Sequence, residues 1–176
     1  VDIVLGNTRK PDIVIEVLKR FDGSEVLNNE YDDYEMPDTS NRSRPMLKIQ
    51  EGCDQLCSYC IVPKVRGREK SVPSGILVNS VNRLVDDGYT EVVLTGTQLG
   101  SYGFDLDSTS LTSMITDILN KTSVARLRIS SLQPQELSEE LLELWQDKRL
   151  CPHFHIPLQS GSDSILVRMR RRYDSS

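Results

Sequence analysis

From about residue 45 onward the sequence predicts an α/β fold, and two observations carry that prediction. Short apolar runs at 46–49, 91–94, 125–130 and 153–158 are each succeeded by a stretch of helical periodicity, at 74–87, 111–120, 134–146 and 163–171. Successive βα units of this kind place their strands in parallel, in a sheet that is open or closed into a barrel. The second observation is the composition of the segments just after the four runs: EGCDQLCSYC, TGTQLGSYG, SLQPQE and QSGSD, rich in cysteine, glycine, glutamine and serine. In parallel α/β folds the loops at the carboxyl ends of the strands carry the chemistry, so all four segments are expected to face one mouth.

Taken in order, residues 1–5 alternate apolar and polar and predict a strand, Gly6-Asn7 a turn, and 11–20 a helix in which Ile13, Val14, Val17 and Leu18 recur behind Pro11-Asp12. From Phe21 to Ser43 the chain is polar and acidic, with Gly23, Pro37 and little periodicity, so it reads as a linker with a domain boundary near residue 44. The helix at 74–87 gathers Ile76, Leu77, Val81 and Leu84 on one face. The chain begins at Val1 inside an apolar alternation and stops at RRRYDSS without a capping glycine, so it is expected to be a piece of a longer protein.

With 176 residues, 38% hydrophobic and 27% charged, the chain is large enough for an ordinary globular core. No stretch approaches the roughly 18 uninterrupted apolar residues that span a bilayer, which predicts a cytoplasmic protein without membrane partners. The net charge of -5 gives no global argument for nucleic acid. Arg168, Arg170, Arg171 and Arg172 form a local basic cluster, either a phosphate contact or a solvated helix end whose cations suit the dipole.

Three of the four cysteines, Cys53, Cys57 and Cys60, are spaced C-x3-C-x2-C after the first strand. A [4Fe–4S] cluster can take three thiolates from such a loop and keep one iron open for a small molecule. Structural zinc would need a fourth ligand, and His153 and His155 are far away in sequence. A Cys57–Cys60 redox dithiol would leave Cys53 unexplained. Cys151, beside Pro152, is read as a structural thiol, and His153 and His155 as packing histidines on one face of the fourth strand.

The cysteine loop, with Tyr59 just before its third cysteine, resembles the signature of radical S-adenosylmethionine enzymes. CSYCIVPKVRGREKSVP (57–73), GTQLGSYG (96–103), RISSLQPQEL (128–137) and HFHIPLQSGSDSILVRMRRRY (153–173) narrow the likeness to methylthiotransferases that act on an adenosine in tRNA. VDIVLGNTRK resembles the end of their N-terminal domain. The resemblance implies a partial radical-SAM (βα)6 barrel of about four βα units over residues 45–176, preceded at 1–44 by the end of an α/β N-terminal methylthiotransferase domain plus linker.

It also implies roles. Cys53, Cys57 and Cys60 would hold a [4Fe–4S] cluster whose open iron binds S-adenosylmethionine, with Tyr59 near the adenine. Gly96 would allow close backbone approach and Gln98 would meet the methionine amino group, while Leu99 stands where many relatives have asparagine. Ser130 and Ser131, with Gln159 and Ser160, end strands at the same mouth and can bond ribose or carboxylate. In the Arg66-Gly67-Arg68-Glu69 run, Arg66 would contact phosphate or brace the loop by a salt bridge. The implied reaction is transfer of a methylthio group to C2 of an adenosine next to the anticodon. RISSLQPQE points to the branch acting on N6-threonylcarbamoyladenosine at position 37, with isopentenyladenosine or a ribosomal protein as alternative substrates. No catalytic residue is assigned. Partners would be the tRNA anticodon loop and an electron donor, and the protein a monomer or weak dimer. A second [4Fe–4S] cluster would need cysteines of the N-terminal domain, and residues 1–44 carry none.

Overall fold

The computed structural model describes residues 3–6, 9, 12–21 (backbone alone for Phe21) and 43–175. Its first helix is α1 (Ile13–Phe21), close to the predicted span. Residues 3–6 belong to no strand, since no neighbouring backbone pairs with them among the described residues, and the linker expected between 22 and 42 lies outside those residues.

The sheet has the order β2-β1-β3-β4, with β1 (Met46–Glu51), β2 (Lys70–Ser71), β3 (Glu91–Gly96) and β4 (Arg126–Ile129). β1, β3 and β4 are parallel neighbours, and β2 pairs antiparallel with β1 at the edge. Between the strands come α2 (Val62–Val65), α3 (Ser74–Asp86) and α4 (Leu111–Lys121), followed by α5 (Glu139–Glu143) and α6 (Asp163–Arg168).

Alternation explains β1: Leu47 and Ile49 are buried while Met46 and Lys48 are exposed. β3 is central and buries Val92, Val93 and Leu94 in succession. Leu77, Val81 and Leu84 of α3 and Met114, Ile115 and Ile118 of α4 join the strand residues in one core. Each such side chain contributes about 1.5–3 kcal/mol through removal from water. α4 starts on a reciprocal cap, the Ser113 N–H donating to Ser110 Oγ at 3.1 Å and the Ser110 N–H to Ser113 Oγ at 2.9 Å. On the opposite face, toward the amino ends of the strands, Glu91 accepts from Arg126 (3.3 Å) and Arg128 (3.2 Å), with Arg44 at 3.7 Å.

Three expectations are corrected. The fourth strand, at 153–158, is not a regular strand: the chain runs parallel beside β4 through two isolated bridges, Leu127 with Leu150 and Ser131 with His155. Pro152 and Pro157 have no N–H to give a ladder. The single helix at 134–146 is instead a 3-10 turn (Pro134–Glu136), α5 and a second 3-10 turn (Leu144–Gln146). Leu137 leaves helical geometry, and Ser138 Oγ caps a new helix by accepting from the Leu141 N–H at 3.2 Å. α6 stops at Arg168 and not at 171, because Arg170 adopts φ 57°.

Candidate cofactor site at the carboxyl ends of the strands

The cysteine loop leaves β1 through Gly52, whose φ is +79° and whose missing Cβ would lie 1.9 Å from the Arg68 carbonyl oxygen. Only glycine fits there. The return segment braces the loop: the Cys53 N–H donates to Gly67 O (3.2 Å), the Asp54 N–H to Glu69 Oε1 (3.1 Å), and Arg68 Nη2 to Asp54 Oδ2 (2.7 Å). The predicted brace therefore comes from Arg68 and Glu69. Cys53 is buried and Cys57 and Cys60 are half-buried, all three as free thiols. Burial pushes the Cys53 thiol up, against the pull of the Gln55 N–H that donates to its sulfur at 3.4 Å. Among the described residues no group of three His, Cys, Asp or Glu is placed to hold a single metal ion. The donor set of the loop is three thiols with a glycine-shaped entry, which suits an iron–sulfur cluster taking one thiolate per iron.

A chain of polar side chains joins this loop to the others. Gln50, at the end of β1 and 1% exposed, donates through Nε2 to Glu51 O and Gly52 O and accepts at Oε1 from the N–H groups of Thr97 (3.1 Å) and Gln98 (2.8 Å). The Gln98 amide donates to Glu136 Oε1 and accepts from Gln133 Nε2. Glu136 also accepts from the Gln133 N–H at 2.8 Å, and burial raises its carboxyl above the ordinary range. Arg171 donates to Gln133 Oε1 (2.7 Å), Cys57 Sγ (3.4 Å) and Tyr59 Oη (3.4 Å), and Tyr173 Oη donates to Leu158 O at 2.7 Å. The segments after the first three apolar runs thus meet at one mouth, joined there by Arg171 from beyond α6.

The predicted residues fare differently there. Tyr59 is 53% exposed beside the cysteines. At Gly96 a Cβ would meet Gln50 O and Leu99 Cδ2, both at 2.9 Å, so the close approach it permits is between β1 and its own loop. Gln98 lies in the polar chain, and Leu99 is core at 1% exposed. Ser131 Oγ is 2.7 Å from His155 Nδ1. Ser160 Oγ accepts from the Ser162 N–H, and Gln159 is exposed with φ 65°. His153 and His155 are exposed, which corrects the packing reading: the segment carrying them runs along an uncovered edge. Cys151 is buried level with Leu127, toward the other end of β4 from the mouth. Sequence reasoning missed Gln50, Gln133, Glu136 and Tyr173, and read Arg171 only as one of a basic cluster. Gln50 gave no signal, because a polar residue is what the alternation of β1 calls for at that position, and its burial is set by the loop after β3.

At 37% identity the chain is similar to the threonylcarbamoyladenosine tRNA methylthiotransferase MtaB of Aquifex aeolicus, over 98% of the chain and 44% of that protein. It is 41% identical to a tRNA-2-methylthio-N(6)-dimethylallyladenosine synthase of Lawsonia intracellularis, over 72% of the chain and 29% of that protein. It therefore spans less than half the length of either relative. Among solved structures, the radical S-adenosylmethionine methyltransferase TsrM of Kitasatospora setae, with tryptophan substrate and a SAM analog bound, matches 74% of the chain and 26% of its own length. The TM-score is 0.57 at 17% identity, which is a likeness of fold. The model of the radical SAM superfamily matches residues 47–176, most of the chain, and the chain belongs to that superfamily.

Proposed function

We propose that the protein is a radical SAM tRNA methylthiotransferase that adds a methylthio group to C2 of N6-threonylcarbamoyladenosine at position 37. Residues 45–176 would be its radical SAM core and residues 1–44 the end of an N-terminal domain. The observation that carries the reading is the convergence of a three-thiol loop with the loops after β3 and β4, in a chain of that superfamily similar to tRNA methylthiotransferases. The RISSLQPQE run favours threonylcarbamoyladenosine over isopentenyladenosine.

Cys53, Cys57 and Cys60 would hold the cluster. A [4Fe–4S] cluster bound there supplies one-electron reductive cleavage of S-adenosylmethionine. Tyr59, exposed at the rim, offers a ring for the adenine to lie against. Gln98, whose amide is held by Glu136 and Gln133, would meet the amino group of the methionine. Ser131, held by His155, and Gln159 offer polar groups to ribose or carboxylate. The tRNA anticodon loop as substrate, an electron donor and a cytoplasmic location belong to the same reading. No helix among the described residues is long and apolar enough to cross a membrane.

Anaerobic reconstitution with iron and sulfide should give about four irons per chain and reductive cleavage of S-adenosylmethionine. Cys57→Ala should lose the cluster. A Cys57→Ala protein that still binds four irons, or a wild-type protein that takes one zinc in their place, overturns the assignment.

A further inference from the structure

We propose that Arg171 is a positioning residue for the cluster site: it fixes the cysteine loop through Cys57 and, by its charge, favours the reduced state of the group held there. The inference rests on the methylthiotransferase reading of the site. Its basis is how the end of α6 is made. The Arg170 N–H donates to Val167 O and the Arg171 N–H to Leu166 O, each at 2.9 Å, with Arg170 at φ 57°. This is the left-handed helix stop normally built on glycine, and arginine in its place costs about 1 kcal/mol. The strained turn redirects the chain, so that Arg171 faces the mouth in place of continuing along the helix.

There the guanidinium uses all three nitrogens on three segments. Nη1 donates to Cys57 Sγ and Tyr59 Oη, both at 3.4 Å, Nη2 to Gln133 Oε1 at 2.7 Å, and Nε to Tyr173 Oη at 3.3 Å. The Tyr173 ring lies 5.0 Å from Cζ, and a backbone bond from the Ser58 N–H to Met169 O (3.1 Å) docks the cysteine loop on the same turn. Of the hydrogen-bond partners of Arg171, only the Cys57 sulfur carries a negative charge at neutral pH once it is a metal-bound thiolate. Reduction of the bound group adds one electron from an external one-electron reductant, such as dithionite, and breaks no bond. It makes the site one unit more negative, and a fixed cation on a ligand sulfur favours that state. A lysine keeps the charge but cannot reach three segments with a planar fork.

The test is a reductive titration of the anaerobically reconstituted chain, monitored by electron paramagnetic resonance, beside hydrogen exchange of the metal-free chain. Arg171→Gln should bind iron as wild type does, yet show a reduced-to-oxidised ratio lower by about tenfold at a fixed potential, ~59 mV for one electron. Tyr173→Phe, which leaves the Cys57 contact in place, should keep the wild-type potential. In the metal-free chain the Ser58 amide should lose protection in both Arg171→Gln and Arg171→Lys. A fully loaded Arg171→Gln with the wild-type potential overturns the proposal. If Arg171→Gln does not fold, Arg171→Lys decides: lost Ser58 protection supports the brace, and wild-type protection overturns it. A wild-type chain that binds no iron would instead sink the functional reading, and the exchange experiment would still decide the role of Arg171 as a brace.

Discussion

Gln50→Leu tests whether one buried amide ties the cysteine loop to the loop after β3. The replacement keeps the bulk and removes all four hydrogen bonds of the side chain. Two of them are fully buried, Nε2 to Gly52 O at 3.0 Å and the Gln98 N–H to Oε1 at 2.8 Å. An unpaired buried donor or acceptor costs about 1–3 kcal/mol, so the pair predicts a loss of about 2–6 kcal/mol. That is a large part of the roughly 5–15 kcal/mol that an ordinary domain has. Gln50→Glu separates the two ends of the amide. Its carboxylate would still accept from Thr97 and Gln98, but would face the carbonyls of Glu51 and Gly52 without a proton to give. Burial and the two facing carbonyls push its folded pKa above the unfolded value of about 4.3 against the pull of the two N–H groups, so the variant is most stable below that value and weakens as pH rises through the folded pKa. Urea unfolding of the metal-free chain at several pH values measures both effects. A Leu variant within about 1 kcal/mol of wild type, or a Glu variant with the pH slope of wild type, would refute the reasoning.

Gly52→Ala should prevent cluster loading more than it unfolds the sheet. Its Cβ would lie 1.9 Å from Arg68 O, so the loop and not the core must give, and near-native circular dichroism with reduced iron content is the expected pair of results. Glu91→Gln should destabilise by about 1–2 kcal/mol in thermal unfolding, because three arginines lose a carboxylate that is only 12% exposed while two of them remain largely solvated. Glu136, raised by burial from 4.5, binds its proton more tightly folded than unfolded. Its contribution therefore falls as pH rises from 4.5 through the folded pKa, and the stability difference between Glu136→Gln and wild type should grow over that window and level off above it. A difference independent of pH between about 4 and 7 would contradict that reading of Glu136.

What was legible in the sequence, and what was not, divides along the range of the interactions. β1, β3 and β4, and the helices α3 and α4, were visible because burial of alternate or i, i+4 positions such as Leu47, Ile49, Leu77 and Val81 is written locally. The cysteine triplet was visible for the same reason, being three ligands on one loop. The fourth apolar run alternates like a strand, but Pro157 within it and Pro152 just before it have no N–H for a ladder, and the predicted helix at 134–146 breaks where Ser138 caps. The polar chain across the mouth was hidden because its links join residues 38, 47 and 114 positions apart, as in Gln98 with Glu136, Thr97 with Gln50 and Arg171 with Cys57.

Those long-range links show why the mouth is built from amides. Gln50, Gln98 and Gln133 can each donate and accept, so each passes a hydrogen bond from one strand end to the next and none is left with an orphaned group. Indeed, among the described residues no buried side-chain nitrogen or oxygen lacks a partner. Two members of the chain are ionisable, the buried carboxyl of Glu136, which bridges Gln98 and Gln133, and the guanidinium of Arg171 at its end. The mouth therefore sets a cation beside the thiols, while burial favours the neutral form of the carboxyl behind Gln98.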